Sequence, residues 1–165
     1  MAIGTRSGFI IRYLSVFALA SLVWEFAHMP LYTLWTTGTV GEIAFAALHC
    51  AAGDVLIGTS ALLLAIVLFG GSGWPGQRAV IVAVAAVTFG LAYTVFSEWL
   101  NVELRQSWAY RDAMPTLPPI GTGLTPILQW IIVPLAAYRE SLIATRRHSH
   151  PQQHTRHQHG TRAND

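Results

Sequence analysis

Apolar residues run along this chain in four long stretches, each closed by a turn signal. The stretches cover about Phe9–Met29, Glu42–Phe69, Ala79–Trp99 and Leu124–Leu142. Crossing hydrocarbon takes about 20 apolar residues, so each is long enough to span a bilayer as a helix. Met29-Pro30 closes the first. Thr39-Val40-Gly41-Glu42 reads as a capping box opening the second. The run Gly70-Gly71-Ser72-Gly73-Trp74-Pro75-Gly76 separates the second from the third, and Thr125-Pro126 reads as an N-cap followed by a first-turn proline. Pro134 falls inside the fourth stretch, where a kink is expected. The pattern predicts an all-α membrane protein, a four-transmembrane-helix bundle over residues 1–143, followed by a disordered His-rich tail over 144–165.

Composition agrees. Hydrophobic residues make up 53% of the 165-residue chain and charged residues 11%, with mean hydropathy +0.44. A soluble domain carries roughly 25% charged residues. The net charge of +2 comes from ten arginines, with no lysine, placed at the borders of the stretches and in the tail rather than on one face. That distribution argues against a nucleic-acid surface. Arg6 and Arg12 precede the first stretch, Arg78 lies in the second connection, and Arg139, Arg146 and Arg147 follow the fourth. The positive-inside rule then predicts both termini in the cytoplasm of a bacterial inner membrane, with the first and third connections outside. Trp24, Tyr32, Trp35, Trp99, Trp108, Tyr110 and Trp130 are expected at the outer interface, and Tyr13, Trp74 and Tyr138 at the inner one. Ala18-Leu19-Ala20 has the look of a signal-peptide cleavage site, but apolar residues continue past it, which favours a retained span. The single Cys50 excludes an intramolecular disulfide and a Cys-cluster zinc site.

The chemistry lies in the ionisable residues inside the apolar stretches: Glu25, His28, His49, Asp54 and Glu98. Each costs at least ~2.5–3.5 kcal/mol in hydrocarbon, so an inward orientation is expected. Glu25 and His28 stand three residues apart and share a helical face. Glu-x-x-His is a spacing used by carboxylate metal sites in bundles, and His49 and Glu98 are candidates to complete it. Glu25, His28, His49 and Glu98 are therefore the expected ligands of one divalent transition metal, with Asp54, Asn101, Gln129, Trp108 and Tyr110 in support. Only one Glu-x-x-His is present, so a mononuclear site is the most these residues offer. Asp54 stands about 140° around the helix from His49, which keeps the two off one ion. Glu98 has a second reading, as the partner of Arg105 or Arg111, and the row Tyr93, Ser97, Asn101 is expected to line the bundle or bind Glu98. Gly53, Gly58 and Gly90 are expected to let helices pack closely. The third connection, about Leu100–Gly123, with Trp108, Tyr110, Met114, Pro115, Pro118 and Pro119, reads either as a lid over the outer mouth or as a stiff connector. The tract His148-Ser-His-Pro-Gln-Gln-His-Thr-Arg-His-Gln-His159 has too few apolar residues to fold and could hold divalent metal loosely.

Some segments are familiar: Trp24–Tyr32, Leu48–Asp54, Tyr93–Asn101, Trp108-Ala109-Tyr110, Gly121–Pro126 and Gln129-Trp130. Together they resemble a group of small, mainly alphaproteobacterial inner-membrane proteins, over about residues 20–140. The resemblance implies a four-helix inner-membrane protein and no established activity. A looser likeness links Glu98 and Trp108-x-Tyr110 to carotenoid-pathway membrane proteins. Ala52-Gly53-Asp54 resembles the Gly-Asp of intramembrane aspartyl proteases, which use a second intramembrane Asp that this chain lacks.

Three functions follow as expectations. The first is an outer-leaflet site for a transition metal or proton, in a metal-handling or accessory protein. The second is an enzyme using Glu and His as acid and base on a lipid or isoprenoid substrate. The third is an accessory subunit whose polar groups join helices. The expected surroundings are a lipid bilayer and a membrane partner subunit or second copy, without nucleic acid.

Overall fold

The computed structural model describes residues 3–149. Four long helices form a bundle: α1 (Ile3–His28), α3 (Val40–Ala65), α4 (Ala79–Glu98) and α5 (Leu124–Ser149); a single turn, α2 (Leu34–Thr37), precedes α3. Wider π turns prolong α3 through Gly70 and α4 through Leu104. With those extensions all four are long and apolar enough to cross a membrane. Each helix packs on two neighbours, in the cyclic order α1, α3, α4, α5, so α1 lies diagonally from α4.

Local chemistry explains the boundaries. At the start of α3, Thr39 accepts from the Glu42 amide while the Glu42 carboxylate accepts from the Thr39 amide, the reciprocal cap the sequence predicted. Helix α4 and the start of α5 fall where hydropathy placed them, and other ends differ. Helix α1 already runs from Ile3, the first described residue, ahead of Phe9, and Arg6 within that extension is anchored: its guanidinium donates to the carbonyls of Trp74 (3.1 Å) and Gly71 (2.9 Å). Helix α5 starts at Leu124, and the Thr125 hydroxyl contacts Met114 Sδ (3.3 Å) instead of capping. It contains Pro134 and continues to Ser149, past the Leu142 limit read from hydropathy, because Ala144–Arg147 are helix formers even where they are not apolar. Positions 150–165, with most of the His-rich tract, lie outside the described residues.

The core has two chemically different halves, and α1 shows both. Its buried stripe runs Phe9, Tyr13, Phe17, Ser21, Glu25, His28, one residue per turn. The aromatic half packs against Trp74, which is fully buried and donates from Nε1 to the Tyr138 hydroxyl at 2.8 Å; Phe9 meets both rings edge-on. Tyr13, Trp74 and Tyr138 are thus core, not an interfacial belt, and so are Tyr32 and Trp130; Trp35 and Trp99 do stay exposed. Position near a helix end says nothing about which face a residue occupies. Two helix contacts need glycine. A Cβ on Gly58 would come within 2.6 Å of the Phe17 ring, and one on Gly90 within 2.2 Å of Trp130. Gly53 differs: a Cβ there meets nothing within 4 Å.

Arg6 holds the second connection by its carbonyls alone. Arg6→Ala is expected to speed amide hydrogen exchange across residues 71–77 at least about tenfold while lowering global stability by no more than about 1 kcal/mol. Exchange mass spectrometry beside a denaturation curve reads both; an equal loss in both would mean the loop and bundle unfold together.

Candidate functional site

The polar half of the core surrounds a cavity of about 670 Å³. This lies within the roughly 300–1,000 Å³ of small-molecule sites. All four long helices and the third connection contribute walls. Its acid side is a hydrogen-bonded set. His28 Nε2 contacts Glu25 Oε2 at 3.0 Å, and Gln129 Nε2 donates to both Glu25 Oε1 (3.1 Å) and Asp54 Oδ2 (2.7 Å). Gln129, from α5, thereby bridges Glu25 on α1 and Asp54 on α3. Glu25, His28 and Gln129 are all buried.

Across the cavity, α4 presents Glu98, buried and bonded by the Tyr110 hydroxyl. Tyr110 in turn accepts from the Gly123 amide at 3.0 Å. Burial first, then the bond to Glu98 and its charge, raise the Tyr110 hydroxyl above its usual value, so it stays a donor. Tyr32 is raised well above its usual value too, by burial and then the charge of Glu98, and sits between His28 (ring centroids 5.2 Å) and Tyr110 (5.5 Å). The indole Nε1 of Trp108 is buried and has no hydrogen-bond partner among the described residues. Nor does His28 Nδ1, which is buried.

The third connection is built into this wall. Tyr32 and Tyr110 form an antiparallel backbone bridge, the Thr33 amide donates to the Ala109 carbonyl (3.0 Å), and the Arg111 amide donates to the Leu31 carbonyl (2.9 Å). A small hairpin, β1 (Thr116–Leu117) with β2 (Thr122–Gly123), then leads into α5. Residues Arg105–Ala109 line the cavity, so the segment covers the site, as a lid reading requires.

The structure sorts the expected residues. Glu25 and His28 meet. Glu98 takes Tyr110 as partner and not Arg105 or Arg111; Arg111 Nη1 instead donates to the Pro30 carbonyl (2.9 Å). His49 lines the cavity but is exposed, stacked on Phe45 (centroids 5.7 Å, planes 17° apart), away from the Glu25–His28 pair. Among the described residues no group of three or more His, Cys, Asp and Glu side chains is arranged to hold a metal ion. Asp54 and Gln129, expected only in support, are central. Asn101 donates to the Ser97 carbonyl (2.9 Å) and not to Glu98, though Tyr93, Ser97 and Asn101 all line the cavity as a row. From sequence Tyr32 is only an interfacial aromatic; its place inside the site depends on the backbone bridge to Tyr110, which has no local signal. No family model matches the chain, and no curated protein or solved structure does.

Proposed function

We propose that this is a membrane-embedded acid–base enzyme acting on an uncharged, membrane-dissolved molecule at the outer leaflet of a bacterial inner membrane, with both termini in the cytoplasm. The observation that carries the reading is the convergence of Glu25, His28, Asp54 and Glu98 from three helices on one cavity, with His28 Nδ1 buried and unpartnered. Glu25 holds His28 through Nε2, which fixes the ring and leaves Nδ1 for a ligand. Glu98, held by Tyr110, faces the cavity from α4 on the diagonal side of the bundle. Two proton-transfer groups on opposite walls suit a proton shift: one gives a proton to the substrate and the other removes one from a neighbouring carbon. Such an isomerisation balances by itself, one proton in and one out. The arginine distribution supports the orientation.

Deuterium uptake tests it. The full chain in nanodiscs, in heavy water, is incubated with a neutral-lipid extract, and every lipid species is read by mass spectrometry. One species is expected to gain deuterium with the native protein and to lose that gain by about 10²–10⁴ in Glu98→Gln and His28→Ala. No enrichment over empty nanodiscs would sink the enzymatic reading. Enrichment unchanged in both variants would place the chemistry elsewhere.

A further inference from the structure

The walls of the cavity are unequal. On the α1 and α5 side they are closed: Glu25, His28, Met29, Gln129 and Trp130 are each at most 7% exposed. On the α3 and α4 side, His49 and Tyr93 line the cavity and are exposed on the bundle surface as well, Tyr93 at 48%. Between them Gly53, with no side chain, leaves open space. A second opening lies at the bundle end, where Thr37, Gln106 and Ser107 are exposed cavity residues next to the third connection. With the four helices spanning a bilayer as proposed, the end opening meets water and the side opening meets lipid: His49 stands nine residues into α3, about 14 Å along the helix from Val40. An imidazole facing hydrocarbon at that depth is costly unless polar groups come to it.

We propose that the side opening between α3 and α4, bordered by His49, Gly53 and Tyr93, is the door through which the ligand enters from the bilayer. The ligand is an amphiphile with an uncharged hydrogen-bonding head and an apolar chain; the head rests on the Glu25–Asp54–Gln129 set and the chain leaves through the door into lipid. The head is uncharged because the route to the site runs through hydrocarbon, where dragging a charge is prohibitive. A phosphate head is excluded again at the end of the route by three carboxyl groups. The inference rests on reading the cavity as a ligand site, and the experiment separates the two.

The probes are a long-chain fatty alcohol carrying a diazirine in its chain, dissolved in the nanodisc lipid, and a short, water-soluble diazirine alcohol. Labelled positions on the full chain are mapped by mass spectrometry. Thr94 is buried and lines the cavity, and Ile57 lines it too, whereas Leu56 and Val84 face outward and take label from lipid in any case. The expected result is that the long-chain probe labels Ile57 and Thr94. Gly53→Leu, which fills the open space, is expected to cut that labelling by at least about tenfold while Leu56 labelling holds, which also confirms a folded variant. Long-chain label confined to Leu56 and Val84, with the short alcohol still reaching Ile57 and Thr94, would overturn the side door and leave the cavity as a ligand site. Neither probe reaching Ile57 and Thr94 would overturn both. Long-chain labelling of Ile57 and Thr94 undiminished in folded Gly53→Leu would overturn the route past Gly53.

Discussion

Gly90→Ala is expected to lower the stability of the bundle by about 2 kcal/mol, while Gly53→Ala is expected to raise it by up to about 1 kcal/mol. Both glycines lie inside helices, where alanine is the better helix former by about 1 kcal/mol. The difference is what the new methyl group meets. At Gly90 it lies 2.2–2.3 Å from the six-membered ring of Trp130. That ring is 3% exposed and backed by Phe17, with centroids 5.8 Å apart, and Phe17 is itself wedged at Gly58. Retreat by Trp130 therefore presses on the α1–α3 contact as well. At Gly53 the methyl enters the cavity. Denaturation of each variant in detergent, followed by circular dichroism, measures both. A neutral Gly90→Ala would show that α4 and α5 can separate without loss.

Glu25→Ala is expected to cost about 3 kcal/mol, and Asp54→Asn less than about 1 kcal/mol. Removing Glu25 strips His28 Nε2 of its partner and takes one of two acceptors from Gln129. Asn at 54 keeps an oxygen for Gln129 Nε2, so that bond survives. A double-mutant cycle over Glu25→Ala and Asp54→Asn should give a coupling of at least about 0.5 kcal/mol, as expected of residues in one network. Additive effects within error would show that the two carboxyls act independently.

The residues show why some of this was legible from the chain alone. Span count and the Thr39–Glu42 cap follow from local pattern, hydropathy over a helix length and a three-residue spacing, whereas Gly53, Gly58 and Gly90 look alike in sequence and only the last two lie at close helix contacts. The Glu25–His28 contact follows from helical spacing as well. The allocation of the remaining acids does not. Helical angle sets His49 and Asp54 about 140° apart, but it does not say which is the more buried, because α3 is apolar nearly all round and has no polar face to mark its outside. For Glu98 the sequence offers a metal ion or a nearby arginine as partner; the Tyr32–Tyr110 backbone bridge instead brings Tyr110 to it. Contacts of that kind join residues far apart in the chain, and no short-range pattern encodes them.

Gln129 has a consequence for biosynthesis. It lies on the fourth of the long helices, and its single amide nitrogen joins Glu25 of the first to Asp54 of the second. A nascent chain that has inserted everything up to the third connection holds both acids in apolar segments with no amide between them. Arrival of α5 supplies it. The fourth long helix thus acts as a latch, and a ribosome stalled before residue 129 leaves a product in which Glu25 keeps His28 but Asp54 lacks its amide donor, a chemical mark of a chain without α5.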